Sequence, residues 1–137
     1  MAKNWYITVQ NCFYMKNAIT FKAGITIYAL VIAFFGVNHF LIGTGMQNTV
    51  PSFIPGGVVW VYITGAALIA AAIAFLTGWQ RALAGYLLAA FLIIIVLTIH
   101  VPAIVHAPDE AARRFPLTNL VKDMGIAGAA LMVAGKG

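Results

Sequence analysis

The chain has 137 residues, of which 63% are hydrophobic and 8% charged, and its formal net charge is +5. A soluble domain carries about a quarter charged residues, so this composition excludes an ordinary water-soluble globule and points to an integral membrane protein of one domain. The basic residues flank apolar runs, which assigns them to membrane topology and anionic headgroups and speaks against nucleic acid as a partner. Cys12 is the only cysteine, which excludes an intramolecular disulfide, a CxxC redox pair and a thiolate metal cage.

In chain order, residues 1–20 mix Trp5, Tyr6, Phe13 and Tyr14 with Lys3 and Lys16. That mixture lacks the immediate apolar core of a secretory signal. It suits an interfacial extension or a surface against a partner subunit, ahead of a membrane domain at 21–137. A hydrocarbon core of about 30 Å needs about 20 helical residues, and 24–43 supplies the first span. The uncharged connection 44–57 contains Val50-Pro51-Ser52-Phe53-Ile54-Pro55. Two prolines stiffen it, so it folds back over the bundle, either as a lid on a lipophilic ligand or as a turn with Phe53 and Ile54 in lipid. Residues 58–76 form the second span, with Trp60 and Trp79 as interface anchors at its ends. A tight turn at 78–81 leads to the third span, 82–101. The connection 102–116 carries His106, Asp109, Glu110, Arg113 and Arg114. The last clean apolar stretch, 125–134, is only about 15 Å long as a helix. To cross the bilayer it must recruit 115–123, and with them Lys122 and Asp123.

These segments specify an all-α, four-transmembrane-helix antiparallel bundle. Small residues at i, i+4 spacing mark close helix contacts: Ala29, Ala33 and Gly36, then Ala66, Ala70 and Ala74, Gly85 and Ala89, and Gly125 and Ala129. Lys3, Lys16, Lys22, Arg81 and Lys136 collect on one side of the membrane. Arg113 and Arg114, with Lys122 nearby, collect on the other. The positive-inside rule then places both termini in the cytoplasm.

On this topology Asn38 and His39, His100, and Lys122 with Asp123 fall in one outer layer of the bundle. A carboxylate or ammonium at membrane depth costs about 2.5–3.5 kcal/mol on insertion scales, so such residues face the interior or a wet cavity. Lys122 can snorkel outward, whereas Asp123 is too short to do so and takes a histidine as its natural partner. Two readings stay open: a site for a substrate or quinone, or a hydrogen bond that fastens the fourth helix. Ligation of haem by His39 and His100 would need a wide apolar pocket, and a single histidine pair is slender support. A zinc site would lack a natural third ligand. Ser52, the only serine, stands outside any GxSxG context, which argues against a serine nucleophile.

The order Gly36-Val37-Asn38-His39-Phe40, Val50-Pro51-Ser52-Phe53-Ile54-Pro55, Thr64-Gly65, His100-Val101-Pro102 and a glycine- and alanine-rich final span resembles the DoxX family of small bacterial membrane proteins over about 21–134. The resemblance implies a multi-pass protein of the bacterial inner membrane. It draws interest to His39 and His100, and through the related DoxD branch it implies quinone-linked redox chemistry. The family does not fix a reaction, so whether the chain is an enzyme stays open. Its expected function is a quinone- or redox-linked module of a membrane oxidoreductase system. The alternative is a non-catalytic accessory subunit that binds lipid and a larger membrane complex.

Overall fold

The computed structural model describes residues 2–50 and 55–136, with side chains described from residue 18 onward except that of Thr49. The helices are α1 (Ala2–Leu41), α2 (Gly43–Met46), α3 (Val58–Thr77), α4 (Arg81–Ile95), α5 (Val101–Val105) and α6 (Glu110–Ala134). A single 3-10 turn, Gln47–Thr49, follows α2, and a π-helical turn, Val96–His100, joins α4 to α5. Four helices are long and apolar enough to cross a membrane: Ala18–Leu41, Val58–Thr77, Arg81–Val105 and Glu110–Ala134. The fold is an all-α four-helix membrane bundle.

The first helix is longer than the span expected at 24–43. No proline interrupts residues 2–41, so the backbone continues as one helix of 40 residues. At 1.5 Å per residue that is about 60 Å, roughly twice a hydrocarbon core. The interfacial or partner-contacting character expected of residues 1–20 rests mostly on side chains outside the described residues. The lid expected over 50–55 falls largely on 51–54, also outside them.

Helix α1 packs along α3, α4 along α6, and α3 joins the two pairs. Glycine sets the closest approach within each pair. A Cβ on Gly36 would stand 2.7 Å from Ile69 Cγ1 and 2.9 Å from the Gly65 carbonyl oxygen. A Cβ on Gly85 would stand 2.7 Å from the Ala130 carbonyl oxygen and 2.9 Å from Ala134 Cβ. Of the stripe expected on α3, Ala74 is buried but Ala66 and Ala70 face outward, and the buried face is Val61, Gly65, Leu68, Ala71, Ala72, Ala74 and Phe75. Alanine is so frequent in α3 that i, i+4 pairs occur on more than one face, and the position of Gly65 selects the contact. On α6 the contact is made by Ala127, Ala130 and Ala134, while Gly125 meets nothing. Tyr28 closes the bundle: its hydroxyl donates to the Ile126 carbonyl oxygen at 2.7 Å and its ring tilts against buried Phe75 at 5.4 Å.

The connection expected at 102–116 is far shorter, because helix continues through both prolines. Proline lacks an amide donor, and its ring clashes with the carbonyl four residues back. For Pro102 that carbonyl belongs to Thr98, inside the π turn. There the Val101 amide reaches back five residues to the Val96 carbonyl, and the Thr98 hydroxyl donates to the Ile94 carbonyl at 2.7 Å. The wider turn accommodates the ring, and the span continues to Val105. Helix α6 starts before Pro116 because Asp109 caps it, its carboxylate accepting from the Ala112 amide at 2.7 Å.

Two outcomes test this architecture. With Cys12 replaced by serine, single cysteines at Ala107 and Lys136 should label from opposite sides of the membrane; labelling from the same side contradicts the four-span path. Gly36→Val should lower thermal stability in detergent by about 1–3 kcal/mol, since backbone would have to give way. Gly128→Ala, where an added Cβ meets nothing, should leave stability unchanged or slightly raised.

Candidate functional site

His100 is the last residue of the π turn, and Asp123 lies midway along α6. A Cα–Cβ bond tilts toward its own helix's N-terminus, so on two antiparallel helices these side chains lean toward one another. Their meeting is direct: His100 Nε2 lies 2.9 Å from Asp123 Oδ2. Both residues are buried, and they are the only polar or charged ones that are so among the described residues. Because a carboxylate accepts, the Nε2 proton points to Asp123, and in a neutral ring the lone pair is then left on Nδ1. Asp123 thus fixes both the ring orientation and its tautomer.

The second carboxylate oxygen, Oδ1, lies 3.4 Å from Lys122 Nζ. Sequence neighbours on a helix point about 100° apart, and Lys122 was expected to snorkel away from Asp123. Its four-carbon stem instead brings the ammonium back to the carboxylate. From there it also donates to Asn119 Oδ1 at 3.3 Å, one turn toward the outer end, and stands 4.7 Å over the ring of Phe35 on α1. The ammonium is therefore held by an anion, an amide and an aromatic face. The formal charges of Lys122 and Asp123 cancel, so the cluster enters the membrane as a neutral unit.

On α6 Asp123 lies about 13 Å beyond Arg114, and on the neighbouring span His100 lies about 28 Å beyond Arg81, so the pair sits inside the apolar spans, in the half of the bundle away from Arg81. At that depth magnitudes decide between the two readings. An insertion cost of about 2.5–3.5 kcal/mol applies to Asp123, with a smaller further cost for Lys122, whose side chain stays partly exposed. An interhelical hydrogen bond in lipid returns about 0.6 kcal/mol on average and at most about 1.7. The bonds made here do not recover the cost of the charges, so fastening α4 to α6 is a poor reason for these residue types.

Of the residues singled out in the sequence, His100, Lys122 and Asp123 come together. His39 and Asn38 lie at a different place. The His39 Nδ1–H donates to the Phe35 carbonyl oxygen at 2.7 Å in its own helix, and its Cβ is 2.8 Å from where a Cβ on Gly65 would stand. It thus packs on α3, one helical turn beyond the ring that meets Lys122. His39 and His100 are engaged with different helices, which separates them as a candidate haem pair. Asn38, half-buried, follows Phe35 by three residues on the same helix. Among the described residues no three His, Cys, Asp or Glu side chains group as metal ligands. The residues that the sequence did not single out are Asn119 and Phe35. Asn119 was legible, because 119, 122 and 123 follow the i, i+3, i+4 rule of one helix face. Phe35 was not, since nothing local tells which α1 aromatic faces α6.

A set of apolar replacements checks the energetic argument. His100→Leu alone should lower stability in detergent by about 1–2 kcal/mol, because Asp123 then keeps only Lys122. The triple replacement His100→Leu, Lys122→Met, Asp123→Val should be at least as stable as that single variant, since no buried charge remains. Chemical or thermal unfolding of the purified chain reads both.

This site lies within the part of the chain that a family model covers. Residues 28–134 match the family described as a domain of unknown function, DUF8561, which spans the last third of α1 through the end of α6. No curated protein and no solved structure matches the chain. The match covers well over half of the sequence, and the chain belongs to the DUF8561 family.

Proposed function

We propose that the His100–Asp123–Lys122 cluster binds the polar head of a quinone-class lipophilic carrier, making this chain a quinone- or redox-linked module of a membrane oxidoreductase system. The observation that carries the reading is the paired but thermodynamically expensive carboxylate buried within an apolar span, hydrogen-bonded to a histidine whose second nitrogen has no side-chain partner among the described residues. A quinone head offers carbonyl oxygens, which accept hydrogen bonds; its quinol form offers hydroxyls, which donate. Lys122 can donate to a carbonyl, and His100 Nδ1 can accept from a hydroxyl, so the cluster can meet either form. Asn38 and His39 stand nearer the outer end of the bundle, where a headgroup would pass on its way in from the lipid. The resemblance to DoxX proteins supports the same class of ligand.

The proposed setting is the bacterial inner membrane with both termini in the cytoplasm. Its support is the asymmetry of basic residues, with Lys22, Arg81 and Lys136 at one end of the bundle and Arg113 and Arg114 at the other. A second reading, a non-catalytic accessory subunit that binds lipid and a larger membrane complex, is favoured by one observation: large apolar side chains such as Phe34, Leu87 and Met132 are exposed around the bundle.

Photolabelling with an azidoquinone in lipid nanodiscs, mapped by peptide mass spectrometry, tests the proposal. Labelling should concentrate on peptides of α4 and α6, and Asp123→Asn and His100→Ala should each reduce it by about tenfold. The double variant should lose little more than the worse single one, because a shared unit is non-additive. Unchanged labelling in both variants, alongside additive losses of stability, would leave the accessory-subunit reading.

A further inference from the structure

At the opposite end of the bundle from the His100–Asp123 pair, Arg81 opens α4 after a sharp reversal from α3. Gly78 at φ 81° and Gln80 at φ 50° both adopt the left-handed conformation. Gln80 has no glycine-like freedom there, so the turn holds Arg81 in place at a local cost of about 1–2 kcal/mol. The guanidinium carbon lies 5.9 Å from the centroid of the Phe21 ring on α1, and a terminal nitrogen lies 3.0 Å from where a Cβ on Gly78 would stand. Arg81 Nε is buried and has no hydrogen-bond partner; it is the one such side-chain atom among the described residues. A buried charged donor without an acceptor is costly, so an acceptor from outside the chain is called for.

The surroundings define that acceptor. Lys22 follows Phe21 on α1 and is exposed. Lys136 follows Ala134, which packs against Gly85, one turn above Arg81. Three cations, on α1, at the start of α4 and just after α6, therefore lie at the same end of the bundle. The chain's three acidic residues lie elsewhere: Asp109 and Glu110 at the start of α6, and Asp123 within it. Trp79, in the same turn and 76% exposed, has the character of a residue at the headgroup level.

We infer that Arg81, with Lys22 and Lys136, forms a binding site for the phosphodiester of an anionic phospholipid. One phosphate oxygen accepts from Arg81 Nε–H once the guanidinium turns off the Phe21 ring, and the two lysines neutralise the headgroup. Lipid is the occupant because the cations stand where a bilayer's headgroups lie and the turn between α3 and α4 adds no surface beyond that layer. The site is separate from the candidate quinone site, since about 28 Å of helix lies between Arg81 and His100.

Native mass spectrometry of the full chain, titrated in detergent with phosphatidylglycerol and phosphatidylcholine, tests the assignment. Phosphatidylglycerol should bind at least about fivefold more tightly, the ratio that one favourable basic contact supplies. Arg81→Gln should abolish the preference, and Arg81→Lys should restore only part of it, because lysine keeps the charge without the buried Nε donor. Should Arg81→Gln fail to fold, the exposed pair Lys22→Gln and Lys136→Gln should still weaken phosphatidylglycerol by about fivefold or more. Equal binding of the two lipids, or a preference that survives these substitutions, overturns the proposal. Displacement of the lipid by free glycerol phosphate at matched concentration overturns it as well, by making the site one for a soluble phosphate.

Discussion

The hydrogen bond between His100 and Asp123 is the constraint around which the upper half of this molecule is arranged. A carboxylate buried within an apolar span must be met by protein, and the partner has to come from a helix that approaches closely enough. That approach depends on Gly85 against Ala130 lower down the same helix pair, where no larger residue fits. It depends equally on the π turn at Val96–His100, which carries His100 into position just before Pro102. Lys122 then completes the arrangement by neutralising the carboxylate and resting on Phe35, which draws α1 toward α6.

The bundle has two polar levels with different chemistry. In the half that holds His100, opposite charges are paired in one cluster. At the end that carries Arg81, cations gather without carboxylates. Between the levels lies an apolar core of Ile32, Ala29, Phe75, Leu88, Leu92 and Ala127, with no titratable group in it apart from the tethered Tyr28 hydroxyl. Such a division suits a protein that meets the bilayer surface at one end and something small and polar-headed within the other half.

Much of this was legible in the sequence, and the rest was hidden for physical reasons. Span number follows from hydropathy because lipid leaves helices as the only open-ended way to satisfy the backbone. The pairing of Asp123 with a histidine followed from cost: a short acidic side chain at depth has few possible partners. The α3 contact face was misassigned because Ala66 and Ala70 imitate the small-residue spacing that Gly65 provides. Pro102 and Pro116 were read as helix ends, since local chemistry makes them so in water. In the bundle a π turn absorbs the first, and the Asp109 cap sets the start of α6 ahead of the second. His39 was grouped with the site by its depth and by the family resemblance. Its face on α1 was decided by Gly65, a residue distant in sequence.

The central claim is that the imidazole of His100, held by Asp123, meets a ligand through its other nitrogen. Nitrogen-15 NMR of histidine-labelled protein in nanodiscs tests it directly, because the chain has only three histidines, His39, His100 and His106. On addition of a short-chain quinone, the Nδ1 resonance of His100 should move while its Nε2 resonance keeps the signature of a nitrogen donating to a carboxylate, and His106 should stay unchanged. A His100 spectrum indifferent to quinone would contradict the claim and reduce the pair to a link between helices.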